Sequence, residues 1–249
     1  MASPSNLLKG KTAIITGSNR GIGKAIVERF ADNGADIIAC ARKDSEEFKA
    51  YVLQISNKFK VKIDPVYFDL SDEDRIKEAF KFLYKDKIKI DILVNNAGIH
   101  HKGLLQMTPL EKIREVFEVN FFGHLKVTQI ISRIMMHQHS GSIINIASTS
   151  GLESYPGYSA YGSSKAALIY ATKVLSQELA SYQIRVNAIA PGLTDTDMLE
   201  QLDQEAVKSM LSKGGLKVVS SPTEIADMAL FLASDLSSGM NGNVLRVER

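Results

Sequence analysis

Residues 12–23 read TAIITGSNRGIG, a short apolar run that leads into a turn with three glycines. The run predicts a buried strand, and the residues after the turn predict an amphipathic helix. Gly17 permits a tight turn, Gly21 removes a side chain where backbone approaches a phosphate, and Gly23 lets helix and strand pack closely. The amides and dipole of a helix N-terminus favour an anion. This strand-turn-helix unit predicts a dinucleotide pyrophosphate site; a glycine-rich turn without a ligand is the alternative.

The rest of the chain repeats this alternation of strand and helix. Apolar runs of this length are typical of strands buried on both faces of a parallel sheet. The β-α alternation implies right-handed crossovers, and hence a Rossmann-type doubly wound seven-stranded parallel sheet with helices on both faces. We predict one domain over residues 1–249. The predicted strands are 12–16, 36–40, 61–68, 90–94, 142–147, 184–189 and 244–247, and the predicted helices are 22–33, 45–59, 72–85, 110–137, 158–182 and 223–233.

One segment, residues 194–215, interrupts the alternation. It is polar and acidic at first and ends in Gly214-Gly215. A long insert after the carboxyl end of a strand often covers a ligand. The segment predicts a substrate lid, and a plain pair of surface helices is the alternative.

The amino-acid composition limits the classes of molecule that the protein is expected to bind. The chain has 249 residues, 45% hydrophobic and 23% charged, with a net charge of +2 and no long block of like charge. These values give no electrostatic case for nucleic acid or an anionic membrane, and they favour a small molecule or a protein. No apolar run approaches the roughly 20 residues of a membrane span, and the N-terminus does not resemble a signal peptide. We therefore predict a cytoplasmic location.

Cysteine and histidine usage argues against disulfide and metal chemistry. Cys40 is the only cysteine, which excludes an internal disulfide, and its apolar surroundings predict a small buried hydrophobe. His137-Gln138-His139 lacks a clustered third ligand, so no residues have the spacing of a metal site.

A phenol and an ammonium stand four residues apart in Tyr161-Gly162-Ser163-Ser164-Lys165. On a helix these positions share a face. A cation beside a phenol favours the phenolate and lowers a pKa that is ordinarily about 10. The pair predicts a general acid/base at Tyr161 that acts near neutral pH.

The end of the second strand indicates which dinucleotide is bound. A carboxylate there would bind a ribose 2′-hydroxyl, as in NAD sites, whereas a basic residue would accommodate a 2′-phosphate. Here Arg42 follows Ala41, and Arg20 adds a second guanidinium suited to phosphate. We predict that NADP(H) is preferred and that NAD(H) is possible. Alternatively, Arg42 and Lys43 are solvated loop charges.

Several further motifs follow in order along the chain. They are the turn at 16–23, Asp69-Leu70, the turn Asn95-Asn96-Ala97-Gly98, Asn120, Ser148, Tyr161 with Lys165, and Pro191-Gly192. With these elements in this order, the chain resembles the short-chain dehydrogenase/reductase family over nearly its whole length. It looks most like the 3-oxoacyl-[acyl carrier protein] reductases.

The resemblance implies a cofactor site. Asp69 would contact the adenine by its side chain and Leu70 by its backbone, and the turn at 95–98 would pass under the adenosine ribose or only stabilise the sheet. Thr194 and Thr196 would bond the carboxamide or phosphates, or cap a helix instead. The implied cofactor-binding residues are Gly17, Ser18, Asn19, Arg20, Gly21, Ile22, Gly23, Arg42, Asp69, Leu70, Asn96, Ala97, Gly98, Tyr161, Lys165, Pro191, Gly192, Thr194 and Thr196.

The resemblance also implies four catalytic residues for reversible hydride transfer. Tyr161 would donate the proton, and Ser148 would hydrogen-bond the substrate oxygen and stabilise its developing charge. Lys165 would lower the pKa of Tyr161 and bind nicotinamide ribose hydroxyls. Asn120 would hold a water that links Lys165 to solvent. His100 and His101 follow the 95–98 turn; we predict exposed loop histidines, with a role in substrate specificity as the alternative.

The resemblance implies NADPH-dependent reduction of a ketone of the 3-oxoacyl-thioester type by a homotetramer or homodimer, with a small-molecule carbonyl substrate that is free or carrier-bound. The ends of the helices 110–137 and 158–182 carry His137-Gln138-His139 and Ser181-Tyr182-Gln183 where carrier-dependent relatives tend to be basic. The C-terminus also lacks the usual Asp-Gly-Gly tail. One alternative is therefore a reductase or dehydrogenase of a free small carbonyl, such as a sugar or secondary-metabolite ketone. Another is a non-catalytic dinucleotide sensor.

Overall fold

A parallel sheet forms the centre of the molecule in the computed structural model, which describes residues 6–197, 199 and 218–248. Its strand order is β3-β2-β1-β4-β5-β6-β7. The strands are β1 Thr12–Thr16, β2 Asp36–Ala41, β3 Ile63–Tyr67, β4 Ile92–Asn95, β5 Gly141–Ile146, β6 Ile184–Pro191 and β7 Val244–Val247. The predicted fold class is confirmed.

Strand β1 lies in the middle of the sheet, between β2 and β4. Its residue Ile14 aligns with Ile38 on one side and with Leu93 on the other. Ala13, Ile14 and Ile15 are fully buried, as a strand covered on both faces requires. The strand order reverses beside β1, and such a reversal opens a crevice at the carboxyl ends of the strands.

Helices cover both faces of the sheet. Helices α1, α2 and α8 pack on the face that Ala13 and Ile15 present. Helices α3, α4 and α6 pack on the face that Ile14 presents, because successive strand residues point to opposite faces. The helices are α1 Gly21–Asp32, α2 Glu46–Phe59, α3 Glu73–Ala79, α4 Lys81–Lys85, α5 Leu110–Phe117, α6 Gly123–Gln138, α7 Ser159–Glu178 and α8 Pro222–Ala233.

Two predicted helices are interrupted. The helix predicted over 72–85 divides at Phe80, which has φ −106° and ψ 4° and a fully buried ring. The helix predicted over 110–137 contains a π turn, Glu118–Phe122, between α5 and α6. Asn120 lies in this turn, and π turns occur often at functional sites.

The predicted lid over 194–215 falls mostly outside the described residues. Of this segment, residues 194–197 and 199 are described, and Thr194 forms a parallel bridge with Ser220. Cys40 is buried, and burial raises the pKa of its thiol far above the usual range. In the described part of the chain, no helix is long and apolar enough to cross a membrane.

Candidate active site

A cavity of about 760 Å³ opens at the carboxyl ends of the strands. This volume lies within the range of small-molecule and cofactor sites, roughly 300–1,000 Å³. The turns after β1, β2, β3, β4, β5 and β6 all contribute to its wall, so residues far apart in sequence meet there. The predicted site residues that line it are Gly17, Asn19, Arg20, Gly21, Ile22, Arg42, Asp69, Leu70, Asn96, Ala97, Gly98, Ser148, Tyr161, Lys165, Pro191, Gly192, Thr194 and Thr196.

Ser18 differs from the prediction because it does not line the cavity. Its hydroxyl donates to the carbonyl of Ile15 at 2.7 Å, and its amide donates to the carbonyl of Cys40 at 2.9 Å. The side chain is fully buried. Ser18 therefore anchors the glycine turn to β1 and β2 and does not face a ligand.

Gly23 lies behind the cavity wall, where helix α1 passes close to the glycine turn. A Cβ built on Gly23 would lie 2.1 Å from the carbonyl oxygen of Gly17 and 2.4 Å from Asn96 Nδ2. Asn96 Nδ2 itself donates to the carbonyls of Thr16 and Gly17, at 2.9 and 3.2 Å. The turn after β4 thus holds the turn after β1, and only a glycine fits at position 23.

Thr16 is a supporting residue that the sequence analysis did not single out. Its Oγ1 accepts hydrogen bonds from the amides of Asn96 and Ala97, at 2.9 and 3.1 Å, and donates to the carbonyl of Val94 at 3.4 Å. The only signal in the sequence is a hydroxyl at the end of a strand. Its partners lie about 80 residues away, so sequence alone does not reveal the role.

The first turn of α1 is suited to an anion. Arg20 is the N-cap residue, its side chain makes no capping hydrogen bond, and no acidic residue stands in the first turn. Gly17 and Gly21 have φ of +68° and +54°, a backbone that favours glycine. Free amides at a helix N-terminus bind phosphate, so the residues present fit the pyrophosphate of a dinucleotide.

Basic residues lie in the part of the cavity that is predicted to hold the adenosine. Arg42 lines it and lies close enough to Asp69 for its charge to act on that carboxylate. Burial by itself would raise the pKa of Asp69, but hydrogen bonds from Ser71 and the charge of Arg42 lower it below its ordinary value. Arg20 Nη1 forms an exposed ion pair with Asp197 Oδ2 at 3.3 Å.

Tyr161, Lys165 and Ser148 meet at the other end of the cavity. Tyr161 and Lys165 share one face of α7, with Lys165 Nζ 5.9 Å from the centre of the Tyr161 ring. Lys165 Nζ donates to the carbonyl of Ile146, the last residue of β5, at 2.8 Å. Ser148 follows two residues later, and its side chain lies close enough to the Tyr161 hydroxyl to lower the pKa of that group. All three side chains are buried.

The expected lowering of the Tyr161 pKa is absent. Burial raises the pKa of Tyr161 to about 12, although the hydrogen bond with Ser148 acts in the opposite direction. Burial also lowers the pKa of the Lys165 ammonium to about 8, and this ammonium is bonded to a backbone carbonyl and not to the phenol. A raised pKa keeps Tyr161 protonated at neutral pH, which is the form that a proton donor needs.

Asn120 lies beneath the cavity and does not line it. Its Oδ1 accepts from the amide of Ile99 at 2.9 Å, and its Nδ2 donates to the carbonyl of Ile99 at 2.9 Å and to Ser164 Oγ at 3.1 Å. A Cβ built on Gly98 would lie 3.2 Å from Asn120 Oδ1 and 3.6 Å from Lys165 Nζ. Asn120 and Lys165 therefore border the same small space, and the water-holding role stays a prediction.

His100 was wrongly expected to be an exposed loop histidine. Its ring centre lies 4.9 Å from that of Tyr161 and 5.3 Å from that of Tyr158, with an edge-to-face arrangement in both pairs. The side chain is half-buried and lines the cavity. His101 is also only half-buried, with Nε2 3.4 Å from Thr108 Oγ1.

His124 is a fully buried histidine that could not be singled out from the sequence. Its Nε2 lies 2.7 Å from the carbonyl oxygen of Ala97, which places the proton on this nitrogen. Burial, together with the charge of Lys165, lowers the pKa of His124 to about 3. A neutral His124 thus supports the turn at 95–98 from below. Within 6–197, 199 and 218–248, no group of three or more His, Cys, Asp or Glu residues could hold a metal ion.

Replacing Lys165 with Met should change how stability depends on pH. Between the folded pKa of about 8 and the ordinary value of 10.5, the unfolded chain binds more protons at Lys165 than the folded protein. The free energy of unfolding of the wild type should therefore rise with pH relative to Lys165→Met, by roughly 1.5 kcal/mol between pH 7.5 and 9.5. Urea unfolding at both pH values measures it, and a constant difference between the two proteins would contradict the buried, weakened ammonium.

The family of the chain is shown by direct comparison. The family model of the short chain dehydrogenases matches residues 11–207. The chain therefore belongs to the short-chain dehydrogenase/reductase family and is an NAD(P)-dependent oxidoreductase that acts on CH–OH groups. The predicted family and enzyme class are confirmed.

Individual relatives and solved structures carry names that indicate different substrates. The 3-oxoacyl-[acyl-carrier-protein] reductase of Thermotoga maritima is 39% identical over 97% of both chains, and that of Aquifex aeolicus is 40% identical over 96% of both. Among solved structures, a putative NAD(P) dependent gluconate 5-dehydrogenase from Beutenbergia cavernae with bound NADP has a TM-score of 0.91 at 31% identity. That match covers 97% of this chain and 96% of the other.

Proposed function

We propose that the protein reduces a ketone to a secondary alcohol with NADPH, and that 3-oxoacyl thioesters are its leading substrate class. The observation that carries this proposal is the meeting of the Tyr161 hydroxyl, the Ser148 hydroxyl and the Lys165 ammonium in one wall of the cavity. A binding-only sensor has no need for a buried phenol beside a buried serine hydroxyl, at the expense of desolvating both groups.

Each of the four polar residues has a separate task. The bound cofactor supplies the hydride. Ser148 holds the carbonyl oxygen, and Tyr161 gives it a proton as negative charge develops there. Lys165 binds the ribose hydroxyls and replaces the proton that Tyr161 has lost, and a pKa of about 8 suits this exchange near neutral pH. Asn120 fixes the Ile99 backbone and holds the water that connects Lys165 to solvent.

The thioester substrate is supported by the reductases of Thermotoga maritima and Aquifex aeolicus, which are described as acting on acyl carrier protein substrates. The surface gives weaker support for a carrier. The rings of His139 and Tyr182 lie 5.8 Å apart, at the ends of the two helices where carrier-dependent relatives tend to be basic. A less basic surface steers an acidic carrier less strongly. A free small carbonyl stays the second candidate, favoured by the likeness to a gluconate 5-dehydrogenase.

A panel of ketones tests the substrate class. NADPH oxidation should be fastest, in kcat/KM, with acetoacetyl thioesters, and the carrier-bound and coenzyme-bound forms should differ little if the carrier is not recognised. Faster turnover of diketones or keto-sugars than of any thioester would select the second candidate. Tight NADPH binding without turnover of any panel member would favour the sensor.

Preference for NADPH over NADH should depend on Arg42 and Arg20. Replacing both residues with Ala should lower the ratio of kcat/KM for NADPH to that for NADH about tenfold or more, because each guanidinium can bind the 2′-phosphate. Arg20 has to leave Asp197 to do so. Arg75→Ala, an exposed arginine outside the cavity wall, is the matched control. If the ratio does not move in the double variant, these residues do not select the phosphate.

The assembly and the location remain predictions. Phe122 and Tyr170 are 51% and 71% exposed on the helices expected to form the contacts, which supports a homotetramer or homodimer built through these surfaces. Sedimentation of the purified protein would determine the number of subunits. A cytoplasmic location stays a prediction from the sequence.

A further inference from the structure

His100 has an unpaired polar atom in the wall of the active site. Its Nε2 is buried and has no hydrogen-bond partner among the residues that the structure describes. Burial of a polar group without a partner is unfavourable, so such a group in a folded protein calls for an explanation. The position of the ring next to Tyr161 suggests that the missing partner arrives with the substrate.

The surroundings of His100 hold its ring in place. Tyr158 and Tyr161 contact it edge to face, with ring centres 5.3 and 4.9 Å away. Burial, and then the charges of His101 and Lys102, lower the pKa of His100 below its ordinary value. The ring is therefore a neutral imidazole at pH 7, with one nitrogen that donates a hydrogen bond and one that accepts.

The position of the His100 ring limits which group of a substrate it can bind. Tyr161 and Ser148 together bind the oxygen of the carbonyl group that is being reduced. The His100 imidazole packs directly against the Tyr161 ring. A group held by His100 would therefore be close to the reacting carbonyl and not at the far end of a long chain. An imidazole N–H in this position is complementary to a second oxygen of the substrate.

We propose that His100 is a specificity-determining residue that donates a hydrogen bond to a second carbonyl oxygen of the substrate, so that the site selects 1,3-dicarbonyl compounds over simple ketones. This inference rests on the proposed ketoreductase function. It assigns the discrimination to one side chain that the family resemblance does not include among the catalytic residues.

The test compares two substrates that differ by one oxygen. Ethyl 3-oxobutanoate contains the second carbonyl, and 4-ethoxybutan-2-one has the same chain without it. His100→Phe keeps an aromatic ring against Tyr158 and Tyr161 but removes both nitrogens. The ratio of kcat/KM for the ester to that for the ether should fall about tenfold in His100→Phe, mainly through KM of the ester. His100→Gln, which keeps an N–H donor, should recover most of the ratio.

His101→Phe is the matched control, because it makes the same substitution at the neighbouring histidine, and its ratio should equal that of the wild type. Dissociation constants for NADPH, measured by fluorescence, should be the same in all four proteins and show that the fold and cofactor site are intact. An unchanged ratio in His100→Phe, or an equal loss on both substrates, would overturn the proposal while leaving the reductase function in place. Failure of the wild type to reduce any ketone would overturn both.

Discussion

Tyr161→Phe is expected to lower kcat by about 10³-fold or more, because Tyr161 is the proposed proton donor to the substrate oxygen and its phenol would be lost. The phenol lies beside Ser148 in the cavity wall, and its raised pKa of about 12 keeps it protonated at neutral pH. The phenylalanine ring retains the edge-to-face contacts with His100 and Tyr158. The loss should therefore be chemical and not structural.

Three measurements distinguish a chemical loss of activity in Tyr161→Phe from a structural one. Steady-state NADPH oxidation gives kcat, fluorescence titration gives the dissociation constant for NADPH, and urea unfolding gives stability. The dissociation constant should stay within about twofold, since most of the dinucleotide site is formed by other turns. Tyr170→Phe is the control, because it removes a hydroxyl from the same helix at a position outside the cavity wall. Turnover of Tyr161→Phe near the wild-type rate would mean that another group supplies the proton.

Gly23→Ala is expected to weaken both the fold and the cofactor site. The added Cβ would lie 2.1 Å from the carbonyl oxygen of Gly17, a backbone atom that cannot rotate away. The glycine turn and α1 must separate, which should cost about 2 kcal/mol of stability, more than the gain of about 1 kcal/mol from the higher helix propensity of alanine. Because this turn presents the amides that are proposed to bind phosphate, the dissociation constant for NADPH should rise at least about tenfold.

Gly239→Ala provides a control for this substitution, since a Cβ there meets nothing within 4 Å. Its unfolding free energy and NADPH affinity should stay close to those of the wild type. Both quantities are measured by urea unfolding and fluorescence titration. Wild-type affinity in Gly23→Ala would show that the two backbone segments are not held together in the way that the contact with Gly17 indicates.

The sheet could be predicted from the sequence, but the interruptions in the helices could not. Buried parallel strands are continuous apolar runs, and the prediction for β1 and β7 agrees with the structure at both ends. A π turn adds one residue within a helix, and hydrophobic periodicity is too coarse to detect it. The turn at Glu118–Phe122 depends on the bonds between Asn120 and the Ile99 backbone, a contact between distant segments.

The same distinction applies to the site. Features set by residues close together in sequence could be predicted, whereas features that depend on contacts between distant residues could not. Glycine spacing and the Tyr161/Lys165 pair are local patterns, so they could be read directly. The position of His100 depends on how the loop after β4 folds against α7, which no local pattern encodes. The Tyr161 pKa was misjudged because the sequence shows a neighbouring cation but not the burial that outweighs it. Thr16 was missed for the same reason, since its partners come from the turn after β4.

Because β1 lies in the middle of the sheet, it stays prone to aggregation during synthesis until the strands on both of its sides have emerged from the ribosome. Residues 13–15 pair on one side with β2, which the ribosome delivers soon after, and on the other side with residues 92–94 of β4. Until β4 emerges, β1 offers an apolar edge with free backbone groups, and such edges recruit strands from other chains. A nascent chain that ends before residue 92 should therefore depend on chaperones. Without them, it should first associate with other copies of itself.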